Sequence, residues 1–410
     1  MTPAVHQALA TLRYGDAISH QALGIRRVLR AAGFRSNIIA ASADDRSRDQ
    51  FVDYRAVADD VRADDLVINH FSVGSDVTRM AFALPWRMIL NYHNITPPEF
   101  FVGIHDELAR LCYQGRRELG AHRTRVDFAL GASAFNRAEL DAMGFAPTAV
   151  LPVVPDFDHL SGPADPWIGR AFDDDRTNVL FVGRIAPNKR QDNVIRHFAA
   201  YQRTFNPRSR LLLAGSAEGF ARYQMQLQAL ARRLDAHDVH FLGQVTNEQL
   251  AALYEVADVF LSASEHEGFC VPLVEAFHAG VPVLALARAA VPATLDGGGV
   301  LYDTTDSDEV AALLHRLLID DPWLARVLAA QDAALDRLEA RDFGATLLAC
   351  VEQVLAAPRR PMPPVPVTLD DFKAIAALHE VRETRPLAYH RLPPPPPPRA
   401  RAVWPFGGRR

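Results

Sequence analysis

The strongest constraint on the fold is a repeated alternation of short apolar runs with amphipathic, helix-like stretches. In the first part of the chain, amphipathic segments such as 17–33 separate the apolar runs, and Gly33 is placed to end that helix. Apolar strands separated by helices indicate a parallel sheet that is covered on both faces. The runs predicted as strands are SNIIAA (36–41), LVINHF (66–71), MILNYH (88–93), VDFALGAS (126–133) and TAVLPVV (148–154).

A polar passage at 156–176, which contains proline, glycine and aspartate, interrupts the alternation and is predicted to be a linker. We therefore predict an α/β protein with two Rossmann-like parallel-sheet domains, 1–155 and 177–356, that face a central cleft. The strands predicted for the second domain are 178–185, 210–216, 239–243, 257–264 and 281–287, and its predicted helices centre on 190–204, 219–235, 247–255, 272–279, 308–318 and 322–339.

The last segment, 357–410, has a different composition and holds 13 of the 28 prolines. Such a composition favours polyproline II or disorder, so we predict a disordered, solvated proline-rich tail. Docking to an SH3-like partner is an alternative. The terminal arginines, with Trp404 and Phe406, could also touch an anionic membrane surface.

Composition excludes several classes of protein. A net charge of −5 provides no basic field for nucleic acid, so no nucleic-acid partner is expected. Three widely spaced cysteines fit neither a disulfide framework nor a zinc site. We find no signal-peptide pattern and no apolar run long enough to span a bilayer, and we therefore expect a cytoplasmic protein, with peripheral contact at the inner face of the membrane as an option.

The segment EHEGFCVPLVEAF (265–277) follows a predicted strand, at the sheet edge where open α/β sheets bind ligands. Gly268 permits a tight turn, and the backbone N–H groups around 269–271 at the start of the next helix would attract phosphate. Glu267 then lies in the loop, and Glu275 lies one turn into the helix, within reach of a ribose diol. A capping glutamate and a solvated glutamate are the alternative.

The segment FVGRIAPNKR (181–190) places Arg184 and Lys189 on the loop after Gly183. Two cations at the C-terminal end of a strand suit a diphosphate, whose negative charge grows as its bond to a sugar breaks. The residue order of a P-loop is absent, and an exposed loop with two ordinary cations is the alternative. Only two of the 44 Lys+Arg residues are lysines, Lys189 and Lys373, and this scarcity favours a functional Lys189.

Two N-terminal segments add candidate residues. In RYGDAISHQ (13–21), Gly15 forms a turn and Asp16 starts a helix, although Asp16 could simply cap that helix. In NYHNITPPEFF (91–101), His93 ends a central strand and a rigid polar loop follows it. A lone histidine is more often structural, but the position of His93 at a strand end that faces the predicted cleft favours a ligand contact.

Together these motifs resemble those of the retaining glycosyltransferases of the GT-B fold, family 4 of the glycosyltransferases. The resemblance covers nearly all of 1–356. It is carried by the E-x7-E segment, the GR-x4-K loop, the LLLAGS strand, the stretch GQVTNEQLAALYEVADVFLSASEHEGF (243–269), the YGDAI turn and the HNITP loop.

The resemblance implies roles for individual residues. Arg184 and Lys189 would bind the donor diphosphate, Glu267 would contact the sugar hydroxyls and His93 the transferring sugar. Many relatives have glycine where this chain has Cys270, and the N-terminal turn is reduced to one glycine. The implied donor-binding positions are Gly15, Asp16, Gly183, Gly215, Gln244, Val245, Gly268, Phe269, Cys270, Val271 and, at the ribose, Glu275.

The predicted function is retaining transfer of a hexose from a nucleotide-diphosphate sugar, GDP-mannose or a UDP-sugar, to a glycan or lipid-linked acceptor in surface polysaccharide biosynthesis. No cofactor and no metal are expected, because the nucleotide sugar is a co-substrate and no D-x-D-like site flanks the cleft. The alternatives are a nucleotide-sugar epimerase of the same fold, a PLP-dependent phosphorylase, for which Lys189 is the one available lysine in 1–356, and a non-catalytic nucleotide-binding scaffold.

Overall fold

A computed structural model of the protein describes residues 3–13, 16–59, 62, 64–151, 153 and 157–359. Gly15 and the predicted proline-rich tail beyond Arg359 therefore lie outside the described residues. Within these ranges, the chain forms two units, each a parallel sheet with helices on its faces. This is the α/β architecture predicted from the alternation of apolar runs.

The N-terminal domain contains a large parallel sheet, a second sheet of two short strands, and helices on the faces of the large sheet. Its strands are β1 (Val5–Ala8), β2 (Thr11–Leu12), β3 (Ile38–Ala40), β4 (Ser42–Ala43), β5 (Val52–Asp53), β6 (Leu66–Phe71), β7 (Arg87–Tyr92), β8 (Phe128–Gly131) and β9 (Thr148–Val150). Its helices are α1 (Ala17–Ala31), α2 (Asp76–Ala83), α3 (Asp106–His122) and α4 (Ala134–Ala142).

The C-terminal domain repeats the design with a second parallel sheet. Its strands are β10 (Thr177–Val182), β11 (Ser209–Ala214), β12 (Val239–Gly243), β13 (Val259–Ser262), β14 (Val283–Leu286) and β15 (Val300–Tyr302). The helices in this part of the chain are α5 (Pro166–Phe172), α6 (Gln191–Thr204), α7 (Ala221–Arg233), α8 (Asn247–Glu255), α9 (Val271–His278), α10 (Val291–Leu295), α11 (Ser307–Ile319), α12 (Asp321–Glu339) and α13 (Phe343–Ala356).

The two large sheets have the same topology. In the described residues their strand orders are β5-β3-β1-β6-β7-β8-β9 and β12-β11-β10-β13-β14-β15, and every pairing within them is parallel. The order reverses between β1 and β6 in one sheet and between β10 and β13 in the other. Ligands of doubly wound sheets bind beyond the carboxyl ends of the strands at such switch points. The loops after these strands are therefore where the site is sought.

Burial explains why the apolar runs are strands. All six residues of β6 are buried, as expected for a central parallel strand with helices on both faces. The helices show the complementary one-sided pattern, because Ile25 and Leu29 of α1 are buried while much of that helix is exposed. Helix α8 begins at a capping box made by Thr246 and Gln249, which fixes its start at the predicted position.

The predicted linker contains structure that belongs to the C-terminal domain. Within 156–176, Asp165 caps α5, and Ile168 and Phe172 of that helix pack into the core of the second domain. A helix of seven residues with one proline at its start has too few apolar positions to stand out from a polar passage. The linker is therefore shorter than predicted.

The last helix, α13, was predicted to lie within the C-terminal domain but packs on the N-terminal one. Leu347 and Val351 share a core cluster with Val5 and Ile89 of the first sheet. Arg87 of β7 donates hydrogen bonds to two carbonyl groups at the end of the helix, at 2.7 and 2.8 Å. The apolar face of a helix shows that the helix covers a sheet but not which sheet it covers, so the sequence pattern alone could not show that α13 packs on the N-terminal sheet.

None of the helices in the described ranges has both the length and the apolar character needed to cross a lipid bilayer.

Candidate active site

The loop after β10 requires glycine because the ends of two neighbouring strands approach closely. Gly183 and Gly215 have φ values of +153° and +151°, and a Cβ on Gly215 would lie 2.0 Å from the carbonyl oxygen of Gly183. No larger residue fits at Gly215 without moving the backbone. The two glycines thereby bring the loop that carries Arg184 and Lys189 to the edge of the sheet.

Lys189 and Glu267 form an ion pair across two loops of the C-terminal domain. The Nζ of Lys189 lies 2.5 Å from Oε1 of Glu267, and both side chains are largely buried, at 20% and 8% exposure. Burial disfavours the ammonium group, but the nearby carboxylate outweighs this effect and the pKa of Lys189 is raised. Lys189 therefore carries a fixed positive charge next to the start of α9.

Backbone and side-chain contacts hold these two loops together. The N–H of Glu265 donates to the carbonyl of Asn188 at 2.9 Å, and the amide nitrogen of Asn188 donates to the carbonyl of His266 at 3.1 Å. Arg190 forms an ion pair with Glu265. The position of Lys189 is thus set by contacts of both its neighbours, Asn188 and Arg190, and that of Glu267 by contacts of the two residues before it.

Arg184 does not join this ion pair. Its guanidinium group lies over the ring of Phe220, 5.3 Å from the ring centroid, and burial lowers its pKa. The two cations predicted to act on one diphosphate thus have different surroundings. Lys189 is held by a carboxylate, whereas Arg184 is held by an aromatic ring.

The residue before α9, Cys270, adopts a left-handed backbone conformation with φ +73° and ψ +68°. Glycine adopts this conformation at little cost, which explains why glycine suits position 270 in the family that this chain resembles. The thiol of Cys270 is buried beside Glu267, and burial together with that negative charge raises its pKa well above the usual value. The thiol is therefore protonated and unreactive at neutral pH.

The second glutamate of the motif, Glu275, is buried and fully engaged by protein groups. Its Oε1 is 3.0 Å from Nε2 of His159, and its Oε2 accepts a hydrogen bond from the hydroxyl of Tyr254 at 2.9 Å. His159 belongs to the passage predicted as a linker. Because both oxygens have partners, the carboxylate of Glu275 is held in one orientation.

A histidine pair lies at the edge of the N-terminal sheet. Nε2 of His93 is 2.8 Å from Nδ1 of His70, and Nε2 of His70 is 2.9 Å from Oε1 of Gln7. Strand register explains the meeting, because β6 pairs with both β1 and β7. Gln7 and His70 are the next-to-last residues of β1 and β6, and His93 directly follows β7. Burial lowers the pKa of His93 to about 3 and that of His70 well below its usual value, with the neighbouring ring adding to the second shift. Both rings are neutral at physiological pH.

The two domains meet through His266, which immediately precedes Glu267, the first glutamate of the E-x7-E segment. Its Nδ1 is 3.2 Å from the amide nitrogen of Asn94, and its ring contacts Phe100 and Phe135 of the N-terminal domain. Asn136 donates to the side-chain oxygen of Asn94 at 3.1 Å. Asn94 can therefore donate to His266 only if the histidine nitrogen is unprotonated.

The remaining predicted residues have less informative surroundings. Asp16 caps α1 by accepting from the N–H and the hydroxyl of Ser19, both at 2.9 Å, which is the structural alternative stated for it above. Gln244 is exposed, and Val245 packs against the core of the second domain. Gly268 lies against Asn94, so close that an added Cβ would be 2.7 Å from the Asn94 Cβ. Phe269 and Val271 flank Cys270 and pack together in a small apolar cluster.

Sequence reasoning missed several residues at this site: Gln7, His70, His159, Tyr254 and His266. His266 stood inside the quoted motif and could have been considered there. The other four are distant in sequence from their partners. His70 lies in the LVINHF strand and Tyr254 in the quoted stretch 243–269, but no local pattern indicates their contacts.

A cavity of about 610 Å³ also opens between the domains, beside the Lys189 loop. It includes none of the predicted site residues, and apolar side chains, arginines and two carboxylates line it. Within the described residues, no three His, Cys, Asp or Glu side chains converge to form a metal site. The candidate active site therefore consists of the strand-end residues around Lys189, Glu267, Glu275 and His93.

Known proteins share sequence and fold with this chain. Residues 169–331 match the family model described as "Glycosyl transferases group 1". O-antigen chain mannosyltransferase B of Escherichia coli is 28% identical over 145 residues, which are 35% of this chain and 38% of that protein. D-inositol 3-phosphate glycosyltransferase of Corynebacterium aurimucosum is 33% identical over 165 residues, which are 39% of this chain and 38% of that protein. The chain thus spans 38% of the length of each of these relatives.

The likeness in structure extends further along the chain. The crystal structure of Anabaena Alr3699/HepE in complex with UDP-glucose superimposes with a TM-score of 0.65 at 17% identity, covering 86% of this chain and all of that one. The matched family range contains β10, β13 and α9, the three elements that carry the charged half of the site.

Proposed function

Because residues 169–331 belong to the glycosyl transferases group 1 and the chain has the two-domain GT-B fold, we propose that the protein transfers a hexose from a nucleoside-diphosphate sugar to an acceptor hydroxyl. The single observation that carries this proposal is the Lys189–Glu267 pair in front of α9. It places a cation and a carboxylate side by side at a helix N-terminus. The cation suits the negatively charged diphosphate, and the carboxylate suits the hydroxyl groups of the attached sugar.

The diphosphate is the leaving group, and positive charge around it lowers the barrier. The Nζ of Lys189 has donors left after its bond to Glu267, and the N–H of Val271, the first residue of α9, has no partner within the helix. Pro272 has no N–H, and that of Leu273 donates to the carbonyl of Cys270 at 3.1 Å. Arg184 would complete the positive surroundings. A preorganised donor of this kind typically contributes about 3 kcal/mol to transition-state stabilisation.

The carboxylates have separate roles in this proposal. Glu267 lies next to the cation that holds the phosphate and would accept hydrogen bonds from sugar hydroxyls near the reacting carbon. Glu275, fixed by His159 and Tyr254, would accept from the ribose hydroxyls. His93 would contact the transferring sugar from the opposite domain.

We propose that transfer retains the anomeric configuration. Glu267 is committed to Lys189, and we assign no carboxylate as a covalent nucleophile. In a same-face displacement, the bond between the anomeric carbon and the diphosphate oxygen breaks, the acceptor oxygen bonds to that carbon, and the departing phosphate oxygen takes the acceptor's proton. No metal is required, because Arg184, Lys189 and the start of α9 supply the positive charge.

The donor and acceptor are proposed from the chemistry and from the printed names of similar proteins. One relative is a mannosyltransferase of O-antigen chains and one matched structure holds UDP-glucose. GDP-mannose and UDP-hexoses are therefore the donors we propose, with a glycan or lipid-linked acceptor of surface polysaccharide biosynthesis on the cytoplasmic side of the membrane.

Two experiments test the proposal. Thermal shift with a panel of nucleotide sugars should identify the donor, because a ligand that binds the native state raises its apparent stability. Turnover with that donor, followed by NMR of the product in the presence of EDTA, should show an acceptor glycoside with unchanged anomeric configuration. Release of a free epimerised nucleotide sugar would favour an epimerase, and binding without any turnover would favour a scaffold.

A further inference from the structure

We propose that Gln7 and His70 are positioning residues that fix the tautomer of His93, so that His93 presents an unprotonated Nδ1 to a hydroxyl of the transferring sugar. Gln7 and His70 lie outside the segments that carry the family resemblance, and the contact of His93 with a sugar rests on the proposed function. The Gln7 side chain contacts a backbone carbonyl group, which can only accept a hydrogen bond.

The starting group is the carbonyl oxygen of Ala22 in α1, which can only accept. It lies 2.9 Å from the side-chain nitrogen of Gln7, so the NH2 end of the Gln7 amide must face it. The other end of the amide is then the oxygen, which lies 2.9 Å from Nε2 of His70. An amide oxygen also only accepts, and Nε2 of His70 must therefore carry a proton.

The protonation of His70 determines which ring donates the hydrogen bond between His70 and His93. A neutral histidine with a proton on Nε2 has a lone pair on Nδ1. Nδ1 of His70 lies 2.8 Å from Nε2 of His93, and so that nitrogen of His93 must be the donor. Since His93 is also neutral, its own Nδ1 is an acceptor. Among the described residues, Nδ1 of His93 has no hydrogen-bond partner.

Burial removes the alternative in which one ring is charged. Gln7 is fully buried and His70 is 3% exposed, and desolvation lowers the pKa of both histidines far enough to keep them neutral. The amide nitrogen of Asn91 lies 3.5 Å from the same Nδ1 of His70, so a second donor points at the same lone pair. The tautomers are therefore set by fixed neighbours on three adjacent strands.

The arrangement has a chemical consequence for the site. His93 follows β7, and the next residue, Asn94, contacts His266 of the donor-binding domain. The ring thus lies at the boundary where the sugar would be held. Its Nδ1 accepts a hydrogen bond from a hydroxyl and cannot donate one to an oxyanion, so His93 orients the sugar and does not stabilise the leaving phosphate.

A direct test is the nitrogen NMR spectrum of the histidine side chains, which distinguishes protonated from unprotonated ring nitrogens. In protein with labelled histidine, the signals lost in His93→Asn identify His93. We expect a protonated Nε2 and an unprotonated Nδ1 in the wild type near neutral pH, and a change in this pattern in His70→Phe. A wild-type His93 that carries its proton on Nδ1, or carries two protons, overturns the proposal.

Kinetics provide a second test with a matched control. His70→Phe removes the acceptor for His93, and kcat/KM for transfer should fall roughly tenfold, while nucleoside-diphosphate affinity stays unchanged. His70→Asn places an amide oxygen near the position of Nδ1 and should restore most of the rate. His122→Asn alters another fully buried histidine of the same domain and should leave transfer nearly unaffected.

Equal rate losses in His70→Phe, His70→Asn and His122→Asn would show a general structural effect and overturn the positioning role. The spectrum of the unliganded protein does not depend on transfer. If the wild type shows the derived tautomer but transfers no sugar, the proposed function fails and the assigned direction of the hydrogen bonds stands.

Discussion

The two domains share one topology, yet the sheet edges that face each other have opposite chemistry. The C-terminal edge is charged, with the pairs Lys189–Glu267 and Arg190–Glu265 on loops after β10 and β13. The N-terminal edge is neutral at the ends of β1 and β6 and just after β7, where hydrogen bonds join the uncharged groups of Gln7, His70 and His93. Its ion pair, Arg116–Glu139, contacts the loop after β7 through the carbonyl of Ile95. A charged edge suits a diphosphate, whereas a neutral edge suits hydroxyl groups, whose recognition depends on direction more than on charge.

The difference also concerns how each edge is held. An ion pair is attractive over a range of geometries. The ammonium group of Lys189 can therefore exchange one oxygen partner for another and stay charged. A line of neutral hydrogen bonds works only if each donor meets an acceptor, and one wrong partner leaves a buried polar group unsatisfied. The neutral edge is therefore the more rigid half of the site.

The largest effect on turnover is expected at the charged edge. Lys189→Met keeps the side-chain volume but removes the charge, and turnover at saturating donor should fall about 100- to 1,000-fold. The fold should also lose stability, because Glu267 is left as a buried carboxylate without its partner. Steady-state kinetics and thermal unfolding measure the two effects.

The double variant Lys189→Met/Glu267→Gln is the control for that experiment. It removes both charges, so it should regain much of the lost stability without regaining turnover. Arg184→Ala tests the second cation without breaking this pair. Wild-type turnover in Lys189→Met would remove the cation from the mechanism and with it the contrast between the two edges.

The two glutamates should separate binding from catalysis. Glu275→Gln should weaken the affinity for free nucleoside diphosphate about tenfold, because a charged acceptor at the ribose is lost. Glu267→Gln should bind the nucleoside diphosphate almost normally but turn over slowly, since its hydrogen bonds strengthen as positive charge develops on the sugar. Calorimetric titration and kcat measure these quantities. The opposite assignment of effects would mean that the roles are exchanged.

The neutral edge predicts a difference in acid stability between the domains. Burial lowers the pKa of His70 and His93 as described above, and that of His122 to about 4. Because the folded-state pKa values lie below the unfolded value near 6.5, stability is complete above pH 6.5 and is lost as the pH falls toward the folded-state values. In that pH range, each such histidine lowers the free energy of unfolding by up to about 1.4 kcal/mol for each pH unit of acidification.

The C-terminal domain should respond less to acid. Its most shifted histidine is His197, with a pKa of about 4, and burial lowers the pKa of His240 and His266 by a smaller amount. Hydrogen exchange measured at pH 7 and pH 5 should therefore show protection lost first in β1, β6 and β7. Earlier loss in β10, β11 and β13 would mean that the neutral edge is not the acid-sensitive part.

The smallest effect is expected from the tail, which tests whether anything beyond the two domains contributes to stability. Deleting 361–410 removes most of the proline-rich segment and leaves α13 and Arg359 in place. We expect the melting temperature and donor affinity to change little, because this composition does not build a packed core. Lower activity on membrane-linked acceptor alone would assign the tail to the membrane surface, while a large loss of thermal stability would show that it packs on the domains.

Local sequence patterns predicted the strands and the charged loops well. LVINHF is β6, and the helix predicted at 247–255 has those bounds, because burial and capping residues act over a few positions. The short strands β1 and β15 gave too little pattern to be recognised, and the range predicted for the C-terminal domain included α13, which packs on the N-terminal sheet. In each case the information needed was the identity of the neighbouring element, which a local pattern does not contain.

The same limit explains the site. Lys189 and Glu267 were each predicted from their own loops, but their pairing depends on the contact between those loops. Glu275 was predicted to bind a ribose diol, but its contacts with His159 and Tyr254 were not predicted, because these residues lie 116 and 21 positions away in the sequence. The hydrogen bonds from Gln7 to His93 join residues 63 and 23 positions apart, so their direction can be assigned only in three dimensions.

The placement of α13 sets the order in which the protein can be completed during synthesis. The first 151 residues leave the ribosome early, but an apolar patch on their sheet, which includes Val5 and Ile89, stays open until Leu347 and Val351 have been made. The C-terminal domain is finished in between. The N-terminal domain is therefore the first to emerge and the last to complete its core. A nascent chain that stalls before residue 343 exposes an apolar surface to which chaperones can bind.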